Sequence, residues 1–250
     1  MKLLIVSDIH ANPWALEAVL TDAGSVDHVL FAGDAVSYGP DPRSVIGRLR
    51  ELGAISVCGN HDHAVAWSAD PRASAAKQPI ALAMRGWTRG QLDAPDIAWL
   101  ARLPLHLTVR IDATGFALYH ATPRDSLSDY SLVPTVSDAY LSEIVAAVDA
   151  DVLVVGHTHL PFARECGRLR IVNPGSVGQP LDGDPRAAYA LWQDGEIRLR
   201  RVAYDIDAAT DAIDRIELCP ETRTVLMETL RRGRVEQREG ERPDSRGERT

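Results

Sequence analysis

Five short apolar runs, each followed within a few residues by a polar motif, constrain this chain more than any other feature. Leu3-Leu4-Ile5-Val6 leads to Asp8-Ile9-His10, Val29-Leu30-Phe31 to Gly33-Asp34, and Ile55-Ser56-Val57 to Gly59-Asn60-His61-Asp62. Phe116-Ala117-Leu118-Tyr119 leads to His120, and Val152-Leu153-Val154-Val155 to Gly156-His157-Thr158-His159. An apolar run of this length, closed by glycine or a polar residue, predicts a buried strand ending in a loop. Open α/β sheets gather their sites at the carboxyl ends of the strands. The five motifs are therefore expected to meet at one sheet edge.

The spacing between runs supports an α/β fold. Strand Lys2–Val6 is followed by a helix starting near Asn12, with Pro13 suited to its first turn. A second strand ends before Asp34, a helix covers about Pro42–Leu52, and the third strand follows, a βαβαβ beginning that implies a mainly parallel sheet. Residues Asp62 to Leu103 read as helical throughout, with Trp67, Leu82, Trp87, Leu92, Trp99 and Leu100 available for packing. Leu105–Ile111 and Thr114–Tyr119 read as a hairpin, Ala121 to Pro134 as a long polar loop, and Ser137–Val148 as a helix. After Gly156 the chain turns β-rich, with strands expected at Arg168–Val172, Ala187–Trp192 and Ile197–Tyr204. Helices near Asp207–Leu218 and Thr222–Arg231 close the pattern. The mixture predicts a two-sheet sandwich with helices outside, in one domain over 1–232, and a disordered tail over 233–250, where almost nothing is apolar.

Composition narrows the function classes. A hydrophobic share of 45% with 25% charged residues is that of a globular protein, and the net charge of −8 argues against a nucleic-acid backbone binder. Cys58, Cys166 and Cys219 form no CxxC pair, so neither a zinc ribbon nor a disulfide framework is supported. No apolar run approaches the roughly 20 residues of a membrane span. The N-terminus reads as a strand that reaches Asp8 too early for a signal peptide, and a cytoplasmic location is expected.

The motifs carry the chemistry of a metal site. Asp8 and His10 stand two apart, so one turn can present both to a single ion. Asp34 is the natural bridging carboxylate, Asn60 offers a neutral amide oxygen, and His157 and His159 form a pair able to serve two ions. No thiolate is in the set, which disfavours a structural zinc site and favours a hydrolytic one. Singly, each motif reads as a helix cap or a loop histidine; five in order do not.

Together the motifs resemble the calcineurin-like metallophosphoesterase superfamily, with its series D-x-H, G-D, G-N-H-D/E, H and G-H-x-H, from Lys2 to about Tyr204. The resemblance implies an αββα sandwich. It implies one metal on Asp8, His10, Asp34 and His159 and a second on Asp34, Asn60, His120 and His157. Manganese is the expected ion, with iron(II), zinc or cobalt as alternatives. The stretch Gly33-Asp34-Ala35-Val36-Ser37-Tyr38-Gly39-Pro40-Asp41-Pro42 and the turn Asn173-Pro174-Gly175-Ser176-Val177-Gly178 resemble a prokaryotic branch of predicted phosphodiesterases and diadenosine-tetraphosphatase-like proteins. That turn is expected to shape the wall of the site. Protein phosphatases of the superfamily carry G-D-x-V-D-R-G. Here the matching stretch ends Ser37-Tyr38-Gly39, so the arginine that would grip phosphate is missing, with Arg43 and Arg124 as weak substitutes.

The expected reaction is in-line hydrolysis of a phosphate ester, most plainly a diester of a small or nucleotide substrate, by a metal-bridging hydroxide. The resemblance gives His61 the role of protonating the leaving alkoxide, and Asp62 either orients it or caps a helix. His63, Tyr38, Arg124, Asp125 and Tyr130 are candidates for substrate contact, while His28 and His106 are expected to be structural. A phosphomonoesterase is one alternative. The other is a scaffold, as in the related retromer-coat subunit, although a scaffold would be expected to lose ligands that are all present here.

Overall fold

A computed structural model of the chain describes residues 1–235. The strands are β1 (Lys2–Val6), β2 (His28–Phe31), β3 (Ile55–Ser56), β4 (His106–Ile111), β5 (Thr114–Tyr119), β6 (Val152–Val154), β7 (Phe162–Cys166), β8 (Leu169–Asn173), β9 (Ala187–Gln193) and β10 (Glu196–Val202). The helices are α1 (Pro13–Ala23), α2 (Pro42–Glu51), α3 (Asn60–Trp67), α4 (Gln78–Gln91), α5 (Ala94–Arg102), α6 (Asp138–Val145), α7 (Ile206–Asp214) and α8 (Pro220–Arg232). Two five-stranded mixed sheets form, ordered β10-β9-β1-β2-β3 and β4-β5-β6-β8-β7. Strands β1, β2 and β3 run parallel, as do β5, β6 and β8.

The layering follows from alternation along each strand. Leu3 and Ile5 of β1 join Leu30, Phe116, Leu118, Val152, Val154 and Trp192 in the core between the sheets. Leu4, Val6, Val29 and Phe31 face the other way, onto Leu16, Val19, Val45, Ile46 and Leu49 of α1 and α2. On the far side, Ala117, Leu153 and Ile171 pack on Leu141, Ile144 and Val145 of α6. The result is the αββα sandwich. Helix α1 starts where Asn12 accepts the Ala15 amide at 3.1 Å, and α2 where Asp41 accepts that of Ser44 at 3.0 Å.

Three local expectations need correction. Strand β7 was not foreseen: Arg164 and Glu165 interrupt its apolar character, because it lies at a sheet edge and pairs only with β8. Residues 62–103 are not continuously helical. Ser68 takes a left-handed φ of 54°, and a non-helical segment runs from there to Lys77 before α4 begins. Within that region Trp99 and Leu100 pack against the first core and Trp87 near α7 and α8, but Trp67 is 62% exposed. The helix expected at Ser137–Val148 ends at Val145. The expected tail lies, from residue 236 on, outside the described residues. No helix among the described residues is long and apolar enough to cross a membrane.

Candidate metal centre

The carboxyl ends of β1, β2, β3, β5 and β6 bring the motifs together in a buried cluster. Asp8, His10, Asp34, Asn60, His120, His157 and His159 are all at most 4% exposed. Five of the seven, Asp8, His10, Asp34, His157 and His159, have positive φ between 47° and 67°. This left-handed backbone is disfavoured for any residue with a Cβ, and its concentration here is the strain typical of functional loops. Glycines give the loops room to converge. A Cβ on Gly59 would stand 2.0 Å from Asp34 Oδ1, and one on Gly156 would stand 1.9 Å from Ser7 Oγ and 2.7 Å from Asp8 Oδ2.

The ligand atoms fall into two constellations. In the first, His10 Nε2 lies 3.2 Å from His159 Nε2, 3.9 Å from Asp8 Oδ1 and 3.8 Å from Asp34 Oδ2, with His159 Nε2 at 3.3 Å from Asp8 Oδ1. In the second, His120 Nε2 lies 3.3 Å from Asp34 Oδ2, 3.0 Å from Asn60 Oδ1 and 3.2 Å from His157 Nδ1, which is 3.1 Å from Asn60 Oδ1. Asp34 Oδ2 faces both. Bonds of about 2.0–2.2 Å to one ion would separate its ligands by roughly 3–3.5 Å, so most of these spacings suit common coordination.

The hydrogen bonds on the outer ring atoms decide what the inner atoms are. His10 Nδ1 meets the Val36 carbonyl at 3.0 Å, His120 Nδ1 the Ala32 carbonyl at 2.8 Å, and His159 Nδ1 the Gln179 carbonyl. A carbonyl only accepts, so each Nδ1 carries a proton, and a ring with no second proton turns an Nε2 lone pair inward. The Nε2 atoms of His10 and His159 thus face each other at 3.2 Å beside two carboxylates, and Asp8 Oδ1 has no hydrogen-bond partner among the described residues. Such a buried arrangement calls for a cation. Divalent metal ions fit it, and Asp8, His10, His159 and Asp8, Asp34, His120 are groups able to hold them.

Electrostatics agree with this. Burial draws His10 down to about 3, against the pull of Asp34, and holds His157 well below the usual imidazole range. His120 is the exception: burial opposes its charge, yet Asp34 raises it to about 9. In the absence of a cation, a proton on His120 offsets Asp34; metal uptake would displace it.

Asp62 does not reach the His61 ring. Its Oδ2 accepts the amides of Asp34 (2.8 Å) and Gly59 (3.1 Å), and its Oδ1 those of Ala35 (2.8 Å) and Val36 (3.3 Å). It therefore holds the Asp34 loop in shape and caps α3. Burial and the Asp34 charge push it up to about 7, against those amides. His61 is anchored by its own amide to Asp34 Oδ1 at 2.9 Å, and its ring packs on Tyr38 (4.6 Å) and His10 (5.2 Å). Its Nδ1 is buried without a partner among the described residues, and burial draws the ring down to about 4.

Of the other candidates, Tyr38 and Tyr130 reach the site. Tyr38 packs edge-on to His10 at 4.9 Å, and the Tyr130 ring lies 3.9 Å from that of His157. Arg43 is engaged by Asp93 and Asp96, and Arg124 by Glu143, so neither supplies the missing arginine's charge. Asp125 binds Ser128 and the Leu127 amide, His63 is half-buried beside Arg72, and His28 and His106 are exposed.

Two supporting features were only faintly visible in sequence. Asn173 donates to the Gly156 carbonyl (2.7 Å) and Thr158 Oγ1 (3.1 Å), while Ser176 Oγ donates to the Asp8 carbonyl (2.7 Å), so this turn clamps two ligand loops together. The second is the segment before α4. Pro71 accepts from Asn60 Nδ2 at 2.6 Å, aiming Asn60 Oδ1 inward, and Arg72 joins Ser128 and Asp125 of the opposite loop.

Known proteins match this arrangement. The sequence family described as the calcineurin-like phosphoesterase superfamily domain matches residues 1–194. The uncharacterized protein MJ0912 of Methanocaldococcus jannaschii is 31% identical over 84% of this chain and 91% of its own. The phosphodiesterase YfcE of Escherichia coli is 28% identical over 76% of this chain and 86% of its own. The crystal structure of a metallophosphoesterase from Sphaerobacter thermophilus superposes with a TM-score of 0.79 at 33% identity, covering 93% of this chain and 99% of that one. The chain belongs to the calcineurin-like phosphoesterase superfamily and is a metal-dependent phosphoesterase.

Proposed function

We propose that this phosphoesterase hydrolyses phosphodiesters of a small or nucleotide substrate at a paired-metal centre, with His61 as the proton donor. The observation that carries the reading is the pair of ligand constellations meeting at Asp34 Oδ2. Asp8, His10, Asp34 and His159 would hold one ion, and Asp34, Asn60, His120 and His157 the other. Ligands of carboxylate, amide and imidazole type suit manganese, with iron(II), zinc and cobalt next. When bound, the two ions supply Lewis acidity towards the phosphoryl oxygens and a water activated near neutral pH.

The remaining work falls to side chains. His61 is held at its backbone by Asp34 and at its ring between Tyr38 and His10, so the imidazole is fixed beside the site with its Nδ1 unpartnered among the described residues. An incoming phosphate anion raises the imidazole from the low value that burial imposes, which lets it arrive protonated and leave its proton on the departing alkoxide. Asp62 keeps the loop of Asp34 in register with it. Tyr130 and Tyr38 form apolar walls with polar tips, fitting an organic ester substituent. A diester is favoured because YfcE, at 28% identity, is a phosphodiesterase.

The test is to strip the protein, reload it with Mn²⁺ and compare bis-p-nitrophenyl phosphate with p-nitrophenyl phosphate. Faster turnover of the diester is expected. Monoester preference would redirect the reading to a phosphatase. Two bound ions without turnover of either would favour a scaffold, and failure to bind metal would refute the reading.

A further inference from the structure

Only two of the 27 basic residues are lysines, Lys2 and Lys77. Lys2 donates to the Ala23 carbonyl at the amino end of β1, the opposite end of that strand from the Asp8 loop. Lys77 caps α4 at the end of the segment that carries Pro71 and Arg72 over the site. It is half-buried beside Tyr38, Ile80 and Gln179 and the α8 residues Val225, Leu226 and Thr229. Its ammonium stands 6.0 Å from the centre of the Tyr38 ring, and its charge interacts with Asp8, Asp34 and His61.

What distinguishes Lys77 is that its ammonium has no hydrogen bond or ion pair among the described residues. Neighbouring arginines are all engaged: Arg72 by Asp125 and Ser128, Arg85 by the Ser68 and Ala69 carbonyls, and Arg89 by those of Val65 and Ala66. Two buried polar atoms beside Lys77 are equally without partners, the Tyr38 hydroxyl and Gln179 Oε1. A partly desolvated cation is costly unless something pairs with it. Asp8 and Asp34 provide that pairing at a distance only while no metal neutralises them. Once two divalent ions sit on those carboxylates, Lys77 faces a positively charged site, and the species that satisfies both is an anion.

We propose that Lys77 is a substrate-binding residue that grips a non-esterified phosphate oxygen, with the Tyr38 hydroxyl as a second donor beside it. The assignment rests on the phosphate-ester reading of the site. A flexible ammonium on a four-carbon stem acts as a point charge and does not demand one planar anion geometry. The hold is therefore stronger on a dianionic monoester than on a singly charged diester, and Lys77 contributes to how the enzyme ranks the two.

The two-lysine composition gives a direct experiment on the full chain loaded with Mn²⁺. Trinitrobenzenesulfonate labelling, read by peptide mass spectrometry, is run with and without inorganic phosphate. Phosphate is expected to slow labelling of Lys77 and leave Lys2 unchanged as the internal reference. Kinetics of Lys77→Met are expected to lose about 10- to 100-fold in kcat/KM on p-nitrophenyl phosphate, less on the diester, at unchanged metal content, with Lys77→Arg restoring most of it. Equal labelling of Lys77 with and without phosphate overturns the proposal whatever the kinetics. Phosphate protection in a protein that turns over neither ester would sustain the anion grip while refuting the hydrolytic reading, so the two can fail separately.

Discussion

Replacing Asp62 by asparagine tests whether this buried carboxylate acts by holding the Asp34 loop. Each of its oxygens accepts two amides, those of Asp34 and Gly59 on one and those of Ala35 and Val36 on the other. An asparagine side chain retains one acceptor oxygen and turns an NH₂ towards the other pair, whichever way it is flipped. Two hydrogen bonds to a charged group are lost, at about 1.5–3 kcal/mol each, or about 3–6 kcal/mol in all. For a domain of this size that lowers Tm by at least ~6 °C. The loss depends on metal. With no cation, burial and the Asp34 charge push Asp62 up to about 7, so near neutrality it is partly protonated and holds the amides less strongly. Cations on Asp34 restore its charge, so the metal-loaded variant loses more than the metal-free one. Differential scanning calorimetry of both proteins, with and without Mn²⁺, measures this. A Tm within 2 °C of wild type in the loaded state, or equal losses in both states, would refute the argument; a changed pH–rate profile at normal stability would return Asp62 to orienting His61.

Other outcomes follow from the same geometry. His61→Ala should bind metal normally and lose about 10²–10⁴-fold in kcat on alkyl esters, but less on p-nitrophenyl esters, whose leaving group needs no proton; equal losses on both would remove the donor role. Chelation should lower Tm, because ions bound at a thousand times their Kd stabilise the fold by about 4 kcal/mol, and re-addition should restore it. Burial draws Lys77 down to about 8, against Asp8 and Asp34. Metal on those carboxylates removes their support, so in the loaded enzyme the charge fades above a pH no higher than about 8; kcat/KM of the wild type should fall with rising pH more steeply than that of Lys77→Arg, and parallel profiles would rule this out.

Legibility in the sequence tracked chemistry. That Asp8, His10, Asp34, Asn60, His120, His157 and His159 would converge in one buried cluster could be read because each carries a possible donor atom and follows an apolar run. The αββα layering followed from the same runs and their connections. Capping of the following helix was one of the two readings of Asp62, but its hold on the Asp34 loop could not be read, since those partners are backbone amides that every sequence possesses. Lys77 was passed over because it looks like a solvated helix end, and its proximity to Tyr38 arises from a break in helical structure that the apolar spacing of residues 62–103 concealed. Strand β7 escaped for a related reason: an edge strand in which Arg164 and Glu165 interrupt the apolar residues has little apolar signal.

The two constellations draw on both sheets. Asp8, His10, Asp34 and Asn60 stand at the ends of the first sheet's strands, and His120, His157 and His159 on the second's. Each ion would therefore act as a rivet between the halves of the sandwich. A chain emerging from the ribosome presents its oxygen-rich half first, a weak and unselective trap for hard cations. Three of the four imidazoles, those of His120, His157 and His159, arrive only with residues 120–159. Choice of metal is thus deferred until the second sheet has docked, and losing an ion later would loosen the seam between the halves before it disturbed either one.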